Sequence, residues 1–308
     1  MGVNINKNLV LIVGLALSIF FLSLAIVFFQ LSSNTLFWRT VQNSGHTIIF
    51  FFITLFAFEL IRRIWNFSQL TTILVTVVLT LLLAGLTEVS QIRLQRDAST
   101  EDVLRDMAGV GLAICIIFLF RQKRKGGGRN QQILLFSIAF TIASVSFSSL
   151  VNVSWYYWQR NQFFPHLLTS ADWVKTFVKE ENAKLERKNG TLYVHLFPAK
   201  IASLNVNEPV SDWSDYSNMV LEIMSSETET FELMFRVHDH MHNFEYDDRY
   251  NAILKIKPGI NIYDIPLQTI QSAPNGRLMQ LENIAGIVLF KADVKNPIQI
   301  ELKKFILH

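Results

Sequence analysis

Seven polar side chains stand close to or between strongly apolar runs of this chain: His46, Glu88, Gln91, Arg96, Ser99, Asp102 and Asp106. Ionisable groups at the edge of a bilayer cost free energy unless they are paired, so they mark a candidate site. Glu88 and Gln91, three apart, share one helix face. The run Ser99-Thr-Glu-Asp102 has the spacing of a capping box that opens a helix. Ser99, Asp102, Asp106 and Gly109 then recur at intervals of three and four along one face. That face needs a polar neighbour, and Glu88, Gln91, Arg96 and His46 are available. Arg96 suits bidentate binding of an anion, His46 exchanges a proton near neutral pH, and Glu88 can accept from a hydroxyl. Acid/base catalysis needs carboxylates of unequal environment around a reacting bond, which spacing does not reveal, so no residue is assigned as catalytic and no cofactor is assigned. The same groups could instead form a hydrogen-bonded clasp that registers three helices.

A second cluster lies far along the chain. His238, His240 and His242 alternate, so an extended strand would place all three on one face, and His-x-His is a workable transition-metal spacing. Asp239 and Asp247 could orient them. No fourth ligand follows in sequence, so a metal-sensing strand is an alternative and no metal is assigned.

The elements that carry these residues fall into two kinds. Apolar runs at 9–29, 45–61, 70–87, 107–120 and 133–151 are long enough, or nearly so, to cross a hydrocarbon core as helices. The fourth is short, and its helix is expected to begin earlier, in the polar interface. The first is longer than a signal-peptide apolar region and lacks an Ala-x-Ala cleavage site, so it reads as a retained span. The connection 121–129 carries five Lys and Arg and no acid, and Arg62 with Arg63 form a second basic pair. Both belong on the cytoplasmic side, which places the amino terminus inside and everything after the fifth span outside. Trp38, Trp65 and the run Trp155, Tyr156, Tyr157, Trp158 fall at expected interfaces. Glu59 precedes Arg62 and Arg63 by three and four residues and is satisfied by them on the helix.

From about Asp172 the period changes from helical to alternating. Strands are expected at 191–197, 218–224, 231–238, 250–256, 260–265, 284–290 and 298–305, a sandwich-like spacing. All seven prolines lie in this second part. Its acids outnumber its bases, whereas residues 1–150 hold 12 Lys and Arg against 6 Asp and Glu. The net charge of +3 is therefore small and sits in the apolar half, which excludes a nucleic-acid footprint. A single cysteine, Cys115, excludes a disulfide framework.

The order of a His opening one span, Glu-x-x-Gln ending the next, then an Arg before Ser-x-x-Asp and Gly resembles the VanZ-like membrane proteins. It is carried here by His46, Glu88, Gln91, Arg96, Ser99, Asp102 and Gly109, over about residues 10–125. Two departures are present: Gln42 and Asn43 stand where the family has Asp-Lys, and Asp106 stands where it has Asn. One cation fewer and one anion more would weaken any anionic ligand. The resemblance implies a place in the cell envelope and a link to glycopeptide-antibiotic tolerance, with no settled biochemical activity.

Residues 237–251 and 265–290, within about 172–308, look like the jelly-roll carbohydrate-binding modules of the galactose-binding-like superfamily. Such modules bind glycans through aromatic platforms and side-chain hydrogen bonds, which makes Trp213, Tyr216, Phe244, Tyr246, Asp248 and Arg249 candidates. Alternatively, Phe244 and Tyr246 pack within the fold and Arg249 pairs with Asp247 or Asp239.

The expected architecture is thus a five-helix transmembrane bundle at 1–151, an aromatic interface and tether at 152–171, and an extracytoplasmic all-β jelly-roll sandwich at 172–308. The expected function is that of a multi-pass protein of the bacterial inner membrane, more a binder than an enzyme. Its partners would be the lipid bilayer and a glycan. The sandwich would recognise that glycan, and an outward-facing polar pocket would bind or sense the polar part of a lipid-linked or cell-wall saccharide. An enzyme or transporter acting on a lipid-linked glycan is the alternative.

Overall fold

A computed structural model describes residues 7–28, 35–93, 100–124 and 128–308. Contacts divide the chain into two units, Met1–Ser154 and Trp155–His308.

Five long helices open the chain: α1 (Lys7–Phe28), α2 (Leu36–Ile64), α3 (Gln69–Arg93), α4 (Thr100–Arg124) and α5 (Arg129–Phe163). All are long and apolar enough to cross a membrane. As expected, the helix begins ahead of its apolar run: α4 is already helical at Thr100. α2 starts at Leu36, so His46 stands well inside the helix and not at its start. α5 differs most: the expected span, the aromatic run and the first part of the tether form one helix of 35 residues. Nothing between Val151 and Phe163 breaks it, because no Pro or Gly occurs before Pro165. Only Ala139 of α5 is buried, leaving Phe136, Phe140, Val145 and Val151 bare on a surface that suits lipid.

α2 is the most enclosed helix. Gly109 of α4 lets it approach closely: a Cβ there would meet Thr47 O at 2.4 Å and Phe51 N at 2.9 Å. α3 contributes a stripe of buried threonines, Thr72, Thr76 and Thr80. Each hydroxyl donates to the carbonyl four residues back, so the stripe satisfies itself without a partner helix.

The second unit is a β-sandwich of two five-stranded antiparallel sheets. Its strands are β1 (Val178–Glu181), β2 (Ala183–Lys188), β3 (Thr191–Leu196), β4 (Ala199–Asn207), β5 (Asn218–Ser225), β6 (Phe231–Asp239), β7 (Tyr250–Ile256), β8 (Gly259–Pro266), β9 (Ile284–Val294) and β10 (Ile298–Leu307). One sheet runs β1-β4-β9-β6-β7 and the other β2-β3-β10-β5-β8. Strands β3 to β10 alternate between sheets except at the β6-β7 hairpin, and the first and last of them pair, which is the winding of a jelly roll. The seven expected strands are present, and three more, β1, β2 and β4, complete the sheets. Alternation builds the core: Leu233, Phe235 and Val237 of β6 line it with Leu204, Val206 and Ile287 of the same sheet and Leu221 and Ile223 of the other, all fully buried or nearly so.

Candidate functional site

In the helical unit, three elements deliver the polar cluster. His46 of α2, Glu88 of α3 and Asp106 of α4 are all buried. One ligating atom of each lies within 4.8 Å of the other two. His46 Nδ1 is hydrogen-bonded to Asp106 Oδ1 at 3.0 Å. The spacing of α4 thus does turn Asp106 and Gly109 toward α2, where Thr47 Oγ1 also donates to the Arg105 carbonyl at 3.1 Å. Gln91 faces elsewhere: its Nε2 donates to the carbonyl of Ile26 on α1. Asp102 turns to its own helix and accepts from Arg105 at 2.5 Å. Arg105 also holds Glu101 at 2.9 Å. Arg96 and Ser99 lie outside the described residues.

In the sandwich, the outer face of the sheet β1-β4-β9-β6-β7 collects polar groups by register. Arg236 stands opposite Val288 and Asn251, and Val288 opposite Asn205. His238 stands opposite Gly286, and Gly286 opposite Asn207. The Arg236 guanidinium lies over the Phe290 ring at 4.1 Å. Arg249 bonds Asn251 and lies 5.6 Å from the Tyr246 ring centroid. Among the described residues neither arginine is ion-paired with a carboxylate. Burial first, then the neighbouring His242 and Arg249, lowers the His238 pKa to about 4, so its imidazole is neutral near pH 7.

Beside this face runs the segment between β6 and β7. Phe244, at a left-handed φ of 72°, is 89% exposed, and Tyr246 is 67% exposed. Such exposure of two rings on a short segment needs an anchor, and Arg277 provides it. Its Nη1 and Nη2 donate to the two oxygens of Asp239 at 2.6 and 2.9 Å, while Nε donates to Asp248 Oδ1 at 2.5 Å. Asp248 Oδ2 accepts from the Asn243 amide and Asp239 Oδ2 from the Gln280 amide. Asn251 Nδ2 donates to the Tyr246 carbonyl. The Arg277 bonds and the Asn243 amide hold the Asp248 pKa at about 2. Burial alone would raise Asp239, but Arg277 and the Gln280 amide outweigh it and keep that carboxyl below the ordinary range. The Arg277 pKa is raised in turn, by its bonds to the same two carboxylates.

This geometry sorts the sequence candidates. Phe244, Tyr246 and Arg249 come together with Arg236 and His238. Asp248 is buried beneath them as an anchor and offers no surface. Trp213 is fully buried, its Nε1 donating to the Val210 carbonyl, so it belongs to the core and not to a platform. Tyr216 packs edge-on against Phe164, with ring centroids 5.4 Å apart, away from the Phe244 group. Arg249 is not the partner of Asp239 or Asp247; Arg277 takes Asp239.

The three histidines do not share a strand face, because β6 ends at Asp239. His242 folds back, its ring centroid 5.3 Å from that of His238. Its Nδ1 donates to the Asp248 carbonyl at 3.0 Å, and a carbonyl can only accept, which fixes the tautomer. Among the described residues, the group able to surround a metal is His46, Glu88 and Asp106.

No family model matches the sequence, and no curated protein matches it. The likeness of residues 10–125 to VanZ-like proteins therefore stands on the motif residues alone. Solved structures match over the sandwich. One is an agarase, at TM-score 0.38 and 15% identity over 46% of this chain and 26% of that one. Another is the family 11 carbohydrate-binding module from Clostridium thermocellum in complex with a mixed-linked tetrasaccharide, at TM-score 0.33 and 16% identity over 42% and 82%. A third is a family 29 carbohydrate-binding module from Piromyces equi, at TM-score 0.29 and 12% identity over 43% and 80%. The chain spans about a quarter of the length of the agarase it matches. The jelly-roll assignment rests on strand order and register, not on these likenesses.

Proposed function

We propose that this chain is a multi-pass membrane protein whose sandwich binds a saccharide on the outer face of the sheet β1-β4-β9-β6-β7. One observation carries the reading: Phe244 and Tyr246 are held out to solvent by a rigid anchor, beside a row of hydrogen-bonding side chains. Exposed aromatic rings are amphipathic platforms suited to the apolar face of a sugar ring. Arg236, Asn205, Asn251 and neutral His238 supply donors and acceptors for hydroxyls at adjacent register positions. Two guanidiniums without carboxylate partners favour a saccharide that carries an acid group.

The helical unit is the membrane anchor in this reading, where Asp106 joins the VanZ-like residues His46 and Glu88. The basic connections put the amino terminus in the cytoplasm of a bacterial cell and the sandwich outside, where cell-wall and exported polysaccharides occur. The protein is read as more a binder than an enzyme.

The test uses the full chain in nanodiscs, screened against arrayed neutral and uronate-bearing polysaccharides. Retention by at least one, abolished in a Phe244→Ala, Tyr246→Ala double variant, supports the reading. Failure to bind any of them would sink it. Sidedness is checked separately: Cys115, the only cysteine, is buried, so Cys115→Ser followed by single cysteines at Ser226 or Gly128 allows impermeant labelling of whole cells. Labelling at Ser226 and not at Gly128 is expected.

A further inference from the structure

The helical cluster carries an inference independent of the saccharide face. His46, Glu88 and Asp106 come from three different helices, and each is more than nine-tenths buried. Two of the three are carboxylic acids. Burying carboxylates in an apolar bundle costs several kcal/mol per ion, by order of magnitude, unless positive charge or hydrogen bonds compensate. Arg105, the nearest arginine in sequence, is engaged by Asp102 and Glu101. Asp106 Oδ2 is buried and has no hydrogen-bond partner among the described residues. A buried acceptor in that state is costly, and a cation beside it would offset the cost.

The geometry accommodates one. Ligating atoms of the three side chains lie within 4.8 Å of one another, and the His46 to Asp106 pair is at 3.0 Å. Two donors on one tetrahedral zinc ion, each about 2.0–2.2 Å from it, stand roughly 3.3–3.6 Å apart. Closing the set from 4.8 Å therefore takes side-chain shifts of about 1 Å. The backbone beneath is fixed: Gly109 packs α4 onto the carbonyl of Thr47, and Thr47 bonds the carbonyl of Arg105, so the residues flanking His46 and Asp106 are locked together. One imidazole with two carboxylates suits an ion of zinc type better than magnesium or calcium, which prefer all-oxygen sets. Three protein ligands leave a fourth position for water or a substrate oxygen.

We propose that His46, Glu88 and Asp106 form a site for a divalent transition-metal ion of the zinc class within the helical unit. The test uses the full chain without a histidine tag, purified in detergent, treated with chelator and dialysed against micromolar Zn2+. Elemental analysis is expected to find about one equivalent of zinc per chain, and zinc is expected to raise the melting temperature. His46→Gln and Glu88→Gln keep size and polarity, so the helices should stay folded by circular dichroism while zinc affinity falls tenfold or more. Asp106→Asn should do the same. A wild-type protein that retains no zinc and melts unchanged overturns the proposal. So does zinc retained equally by the two glutamine variants, because the ion would then sit elsewhere, for instance at His238 and His242.

Discussion

His238 lies against Gly286 across the β6-β9 pair, so closely that a Cβ on Gly286 would stand 2.6 Å from His238 Cε1 and 2.9 Å from Nε2. Glycine is needed here for space and not for backbone conformation. Gly286→Ala should swing the imidazole off the sheet face and weaken saccharide binding about tenfold, a loss of about 1.4 kcal/mol. Because a side chain can move aside, the stability cost should be near the low end of overpacking, about 1 kcal/mol. Calorimetric binding measured beside a melting curve separates the two effects.

Phe244 and Trp213 should behave in opposite ways. Phe244→Ala or Tyr246→Ala removes an exposed ring, so the melting temperature should stay within the range of about 0.5 kcal/mol typical of surface changes. Each should nonetheless reduce affinity about tenfold or more if these rings anchor the sugar. Trp213→Ala empties a fully enclosed site and should cost about 3–5 kcal/mol of stability. A Trp213 variant that melts normally yet binds poorly would return Trp213 to the binding surface.

This contrast shows where the sequence was legible. Periodicity located Asp106 and Gly109 on one face of α4, because helical spacing translates directly into direction. It located β6 by the alternation of Phe231, Leu233, Phe235 and Val237. It missed β2, whose outward positions are Lys184, Glu186 and Lys188, and β4, although Ala202, Leu204 and Val206 alternate there with Ser203, Asn205 and Asn207. Composition could not separate Trp213 from Phe244, since both are aromatic residues near turns and only tertiary enclosure distinguishes them. Arg277 was not found at all: it sits in a Pro-Asn-Gly turn, and its acids are 29 and 38 residues away. Its one local signal was a lone cation beside that turn.

Arg277→Ala should strip both anchors from the segment between β6 and β7. Asp239, whose side chain is fully buried, would be left charged without its fork. Breaking such a pair costs about 3 kcal/mol at the lower end expected for buried ion pairs, since Arg277 itself is partly exposed. Arg277→Lys keeps the charge but not the planar fork and should recover part of the stability. A melt indistinguishable from wild type for Arg277→Ala would mean that the segment is held by other contacts.

The same carboxylates set the response to acid. Asp248 and Asp239 are held below the pKa they would have in an unfolded chain, so the stability they add is fully present above about pH 4. It declines as pH falls toward 2, where Asp248 protonates. His238 acts earlier: its folded pKa of about 4 lies below its unfolded value, so the unfolded chain binds the extra proton between about pH 6.5 and 4. Stability should therefore fall gently across that upper window and steeply below it. In His238→Gln the upper slope should vanish while the steep acid limb stays. Melting temperatures measured from pH 8 to 3 for both proteins check this, and an unchanged upper slope in the variant would assign it to another group.

Gly109 offers the last test, because it decides whether α2 and α4 can meet. The atoms that a Cβ would strike are backbone, Thr47 O at 2.4 Å and Phe51 N at 2.9 Å, and neither can rotate away as His238 can. Gly109→Ala must therefore push the helices apart, lengthening the Thr47 to Arg105 and His46 to Asp106 bonds together. The expected cost is about 1–3 kcal/mol, read as a lower melting temperature in detergent. Gly85→Ala on α3 is the control: a Cβ there meets nothing within 4 Å, so the same added methyl should be neutral or slightly stabilising through helix propensity. Equal loss in both variants would show that the close crossing of α2 and α4 is not what holds His46 against Asp106.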